Sequence, residues 1–345
     1  MQGERDRGPA GLVGRDRALS EVAEVLRAER LVTVSGPGGV GKTALVAELA
    51  HRLLPGQWQA VGRVDLARLD GPEQLPQRLA RALGREGLPD RGTAEALADA
   101  LGGAPALLVV DTCEYVADAC AEILTGLVAA CPGLRVLATS RTPMDTAGHY
   151  RLHPLPLEEA ARLFEASGRQ WELADAPAPE TVEYICSYLD GLPLAVHIAA
   201  GQLARHSPNE ILTLVSRADT LLDLTIPGLP ARQRTLRDSL LSTHQLCTPA
   251  EQLLWARCTV FPGPFGLRDA LEVCADERLP SEGLVSAFAG LDRRALILPQ
   301  EPHGTTYSTY RMPWSTRAHG RQWLNRLGEE REFLQRCLTW LLGDS

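Results

Sequence analysis

Residues 31–50 read LVTVSGPGGVGKTALVAELA: five β-prone residues, an eight-residue loop with four glycines, then a run of helix formers. Strand, glycine loop and helix in that order are the context in which G-x-x-x-x-G-K-[ST] cradles phosphate. Glycines let successive backbone amides turn toward an anion, and the following helix N-terminus adds about half a positive charge. Gly36, Gly38, Gly39, Val40, Gly41, Lys42, Thr43 and Ala44 are therefore the expected phosphate-binding residues. Lys42 would reach the β- and γ-phosphates of a nucleotide, and Thr43 would give its hydroxyl to Mg²⁺.

Composition singles out the same position. Of 35 basic residues, 34 are arginine and one is lysine, and that one is Lys42. A chain that uses arginine everywhere else keeps one compact ammonium where a planar guanidinium would not serve.

A second stretch, LLVVDTCE at 107–114, runs four apolar residues into an aspartate. Asp111 is expected to end a buried strand and to hold Mg²⁺ together with Thr43. The next position, Thr112, cannot act as a general base at neutral pH; it can only orient a water. Glu114 is the alternative acid, unless it merely begins a helix. Arg141 follows the strand at 135–139, at the sheet end where ligands gather, and is the candidate γ-phosphate sensor.

Further strands are expected at 58–66, 106–111, 134–139 and 149–152, with helices at 73–86, 93–102 and 116–130. Such alternation indicates an α/β fold with a parallel sheet covered by helices on both faces. Beyond residue 156 the pattern turns helical, at 157–171, 181–189, 194–205 and 210–217. A Pro/Gly stretch at 225–230 reads as a linker. Helices near 233–246, 249–259, 267–274 and 281–291 then precede a hairpin, 295–298 with 306–310 joined through Pro302-His303-Gly304. That is a winged-helix layout. Helices at 316–326 and 329–342 close the chain.

These motifs resemble the signal-transduction ATPases (STAND) of the NB-ARC type. Leu12-Val13-Gly14-Arg15-Asp16 is similar to their hhGRE motif, and GPGGVGKT, LLVVD, ATSR and Gly191-Leu192-Pro193-Leu194-Ala195 follow in the family's order. Residues 107–115 and 246–265 further resemble large bacterial regulators of the LuxR-like and antibiotic-cluster type. The resemblance implies a sheet in the order 5-1-4-3-2. It divides the chain into a disordered or extended N-terminus (1–10), a P-loop domain (11–155), a helical domain (156–224), a linker (225–232), a winged-helix domain (233–327) and a C-terminal helix (328–345). It puts Val13 and Arg15 on the adenine side, Pro193 against the base and Arg141 on the γ-phosphate. It also implies an ADP/ATP switch with weak ATPase activity, self-association in the ATP form, and further domains or chains as partners. One departure stands out: relatives place a histidine of an MHD motif on the ADP β-phosphate, and here that place holds Met312-Pro313-Trp314.

Two rival readings carry different expectations. A steadily turning-over ATPase would need an acid that Thr112 does not supply. A DNA-binding regulator would need a basic face, yet residues 229–345 hold 14 arginines against 13 acidic residues. The candidate recognition helix, 281–291, has no basic residue, a poor phosphate footprint. The net charge of −8 points the same way. No apolar run approaches the roughly 20 residues of a membrane span, and with polar first ten residues, MQGERDRGPA, no secretory signal is expected. A cytoplasmic protein is expected. Eight cysteines without metal-type spacing read as small buried hydrophobes.

Overall fold

A computed structural model of the chain describes residues 12–67, 69, 71–84, 96, 99, 103–169, 177–216, 235–300 and 308–343. The chain forms two compact units, residues 1–36 with 41–153, and residues 37–40 with 154–345.

In the first unit, α1 (Asp16–Ala28) buries Ala18, Leu19, Val22 and Leu26, a stripe at helical spacing. β1 (Leu31–Ser35) leads through the glycine loop into α2 (Lys42–Gln57). There follow β2 (Ala60–Asp65), α3 (Leu75–Ala82), β3 (Ala106–Asp111), α4 (Ala117–Ala130), β4 (Leu134–Ser140) and β5 (Gly148–Arg151). β1 and β3 are buried at every residue, as strands covered on both faces must be. All pairings are parallel, in the order β2-β3-β4-β1-β5. This is the expected order read from the opposite edge. Its register sets Val110 beside Ala138 and Ser35 beside Ser140. The carboxyl ends of β3, β4 and β1 therefore meet at one edge, where Asp111, Arg141 and the glycine loop emerge.

Local differences from the sequence expectations have simple causes. The helix expected at 73–86 opens as a 3₁₀ turn, Pro72–Gln74, because Pro76 lacks the amide hydrogen that an unbroken helix would donate to the Pro72 carbonyl. The helix at 93–102 lies largely outside the described residues, as does the linker at 225–230.

The second unit holds α5 (Leu157–Gly168), α6 (Pro179–Tyr188), α7 (Pro193–Gly201) and α8 (Pro208–Ser216). Three of these start on proline, whose missing amide hydrogen costs nothing in a first turn. α9 (Leu236–Gln245), α10 (Pro249–Cys258), α11 (Leu267–Cys274) and α12 (Ser281–Arg293) come next. Then follow β6 (Leu298–Pro299), β7 (Tyr310–Arg311), α13 (Trp314–Leu327) and α14 (Glu330–Gly343). The first arm of the hairpin starts later than its sequence suggests. Ala295 adopts a left-handed φ of 54° to end α12, and Leu296 and Ile297 are buried in the core instead of pairing. Among the described residues, Leu298 and Pro299 pair with Arg311 and Tyr310. The expected turn Pro302-His303-Gly304 is outside the described residues.

Trp255, Phe261, Phe265, Phe288 and Phe333 form the centre of this second core. All eight cysteines are free thiols and buried. Among the described residues no helix is long and apolar enough to cross a membrane, and no cluster of three or more His, Cys, Asp or Glu residues could hold a metal ion.

Candidate functional site

The glycine loop takes backbone that side chains resist. Gly39 and Gly41 have φ of 78° and 97°, and a Cβ on Gly39 would lie 2.9 Å from Cβ of Leu194. Lys42 opens α2 and donates to the Gly36 carbonyl at 2.8 Å. Burial pushes its ammonium down to about 8; Glu114 and Asp111 pull it back up, while Arg141 adds to the fall.

Thr43 donates its hydroxyl to Asp111 Oδ1 at 2.9 Å. The same carboxylate oxygen accepts from the Thr139 hydroxyl. Thr139 in turn accepts the backbone amide of Thr112 at 3.1 Å. One hydroxyl from β4 thus ties together the last residue of β3 and the first residue beyond it. Thr139 is not among the residues that the motifs single out. Its one signal in the sequence is its place in ATSR, two residues before Arg141.

Thr112 sits at φ 67°, ψ 47°. A β-branched residue in the left-handed region is a true outlier, costing about 1–3 kcal/mol that its surroundings must offset. This turn feeds a 3₁₀ segment, Cys113–Tyr115. Glu114 Oε1 there accepts from Arg141 Nε at 3.0 Å, with both side chains under one-tenth exposed. Its other oxygen, Oε2, is buried with no hydrogen-bond partner among the described residues. Of the two candidate residues, Glu114 is the one that meets Arg141.

Arg15 is buried and donates to the His153 carbonyl at 2.8 Å; burial pushes it down to about 10. Val13 is half-buried just ahead of α1. Val40 is fully buried, and Ala44 lies in the first turn of α2.

In the second unit, Pro193 opens α7, and the amide of Leu194 donates to the Gly39 carbonyl at 3.1 Å. A cleft there is lined by Pro37, Gly38, Leu192, Ser239, Thr243 and Thr316. Its wall combines the outer edge of the glycine loop with hydroxyls from α9 and α13.

Residues 11–182 match the AAA ATPase domain. The chain is 35% identical over 317 residues to "Putative HTH-type transcriptional regulator Rv0890c" of Mycobacterium tuberculosis, covering 89% of this chain. It spans only 35% of that relative's length. It is 32% identical over 335 residues to the uncharacterized protein Rv0894 of the same organism, covering 94% of this chain and 84% of that one. The Walker-type ATPase PABY2304 of Pyrococcus abyssi superposes with a TM-score of 0.62 at 15% identity, covering 90% of this chain and 95% of the other. That likeness concerns the fold alone.

Proposed function

The chain belongs to the AAA ATPase domain family of P-loop proteins, and from that premise we propose that it is a nucleotide-controlled switch in a regulatory protein. It holds ADP at rest, exchanges it for ATP and hydrolyses ATP slowly. The buried Glu114–Arg141 pair carries this reading. A carboxylate that should polarise the attacking water is instead neutralised by the arginine that should read the γ-phosphate. Such an arrangement favours holding nucleotide over turning it over.

Each residue then has a task. The loop amides and Lys42 bind the phosphates. Arg141 answers to the γ-phosphate, and Glu114 is the acid paired with that arginine. Thr43 and Asp111 offer a converging hydroxyl and carboxylate, the hard-oxygen donors that suit Mg²⁺. Bound there, Mg²⁺ would neutralise charge on the β- and γ-phosphates. Thr139 holds Asp111 in place, Val13 and Arg15 belong to the adenine side, and Pro193 to the base. The segment 233–327 is assigned a packing role in the switch, not that of reading DNA.

Two measurements test this. Nucleotide released by denaturing the purified protein should be ADP. Steady turnover should stay below the roughly 10⁻² s⁻¹ of an unassisted switch; faster turnover would make the protein a working ATPase.

A further inference from the structure

The expected histidine over the β-phosphate is missing, and a different contact lies beside Met312-Pro313-Trp314. Asp190 and Gly191 end α6 as two consecutive left-handed residues, φ 53° and 63°. The Gly191 amide returns to the Cys186 carbonyl at 3.2 Å, and its carbonyl accepts the Leu155 amide at 2.9 Å. A Cβ on Gly191 would collide with the Leu155 carbonyl oxygen. The turn is therefore rigid, and it points the Asp190 side chain in one direction.

That carboxylate is largely buried and meets the start of α13. Oδ2 accepts the backbone amide of Trp314 at 2.5 Å, and Oδ1 accepts from the Arg311 guanidinium. Trp314 is the first residue of its helix, and the preceding Pro313 makes no side-chain cap. An aspartate from 124 residues upstream thus caps α13 and pairs with the arginine three residues before it. Four residues after Asp190, the same turn donates the Leu194 amide to Gly39 of the glycine loop. Leu194 also fills the space beside Gly39. The loop cannot shift without moving Leu194.

We propose that Asp190 is a positioning residue of the nucleotide site: it makes the Asp190–Leu194 turn a two-ended connector between the phosphate loop at Gly39 and the Arg311–Trp314 segment. The regulatory consequence rests on the nucleotide reading above. Whatever nucleotide favours this connected arrangement is itself favoured by it, by the same factor.

The test uses Asp190→Asn, because asparagine tolerates left-handed backbone and keeps the turn while removing the charge. Arg311→Ala serves as the second variant. Hydrogen exchange on nucleotide-free protein should rise in Asp190→Asn both at Arg311–Thr316 and at Gly38–Gly41. A rise confined to α13 would overturn the connector. Release of fluorescent ADP should then quicken about tenfold in Asp190→Asn and less in Arg311→Ala, with the affinity for a non-hydrolysable ATP analogue little changed. Equal loss for both nucleotides would reduce Asp190 to a stability residue. Failure of the native protein to bind either nucleotide would sink the switch reading but leave the exchange result decisive for the connector.

Discussion

Two arginines, Arg257 and Arg141, are both buried beside carboxylates, yet their carboxylates are used in opposite styles. Arg257 in α10 is wholly enclosed. It donates to both oxygens of Asp276 at 2.8 and 2.7 Å, to Glu329 at 3.0 Å and to the Cys274 carbonyl at 2.9 Å. Its guanidinium also lies 4.2 Å over the ring of Phe333. Every face of that group is answered. Arg141 meets Glu114 through Nε, and Glu114 keeps a buried oxygen with no hydrogen-bond partner among the described residues. A saturated buried charge knits helices together, whereas an unmet buried acceptor costs about 1–3 kcal/mol and leaves Glu114 room to accept a further donor.

The contrast can be broken in order of size. Lys42→Ala should leave no measurable ATP or ADP binding by calorimetry while the melting temperature barely moves, because the loop lies beyond the carboxyl end of the sheet. Micromolar affinity in that variant would dismiss the site. Arg257→Ala should do the reverse. It takes from Asp276 and Glu329 their buried partner, leaving Glu329 to Arg278 and Asp276 to the amides of Arg278 and Leu279, and should cost about 3 kcal/mol in denaturant unfolding, while the ratio of ATP to ADP affinity stays constant. A changed ratio would mean the saturated knot is not merely structural.

Arg141→Ala sharpens the comparison further. Removing one charge-assisted contact worth about 1.5–3 kcal/mol should weaken ATP roughly tenfold or more and spare ADP. Equal losses would deny Arg141 its sensing role. Single-turnover kinetics then separate the two hydrolytic candidates. Glu114→Gln should remove what hydrolysis exists, whereas Thr112→Asp should raise it only if Thr112 stands beside the water. The smallest effect concerns protons. Burial lowers the Lys42 ammonium to about 8, so a bound phosphate should draw a proton onto it. The net protons taken up when ADP binds should then be more numerous at pH 8 than at pH 6, where the lysine is already charged and the ADP phosphate itself gives up protons. Calorimetry in buffers of different ionisation enthalpy reads that number directly.

Much of the nucleotide side is legible in the amino-acid sequence. GPGGVGKT lies in one continuous segment, so its glycine pattern, the lone lysine and the following helix report on each other within one local element. The strand at 106–111 is equally readable, because a strand buried on both faces leaves an apolar run, unbroken from Ala106 to Val110. The first arm of the hairpin is not: Ala295–Ile297 looks strand-like but goes to the core once Ala295 turns left-handed.

Convergence of residues far apart in the chain belongs to the tertiary fold. The sequence determines that an acid follows β3; the left-handed backbone at Thr112 brings Glu114 to Arg141, 27 residues away. The sequence also determines that Met312-Pro313-Trp314 offers no histidine; the fold brings Asp190 to the start of α13, 124 residues on. The physical reason is common to both. Local pattern specifies which element forms and which face it buries, while a lone polar side chain carries no trace of its partner until strand register and helix packing bring the two together.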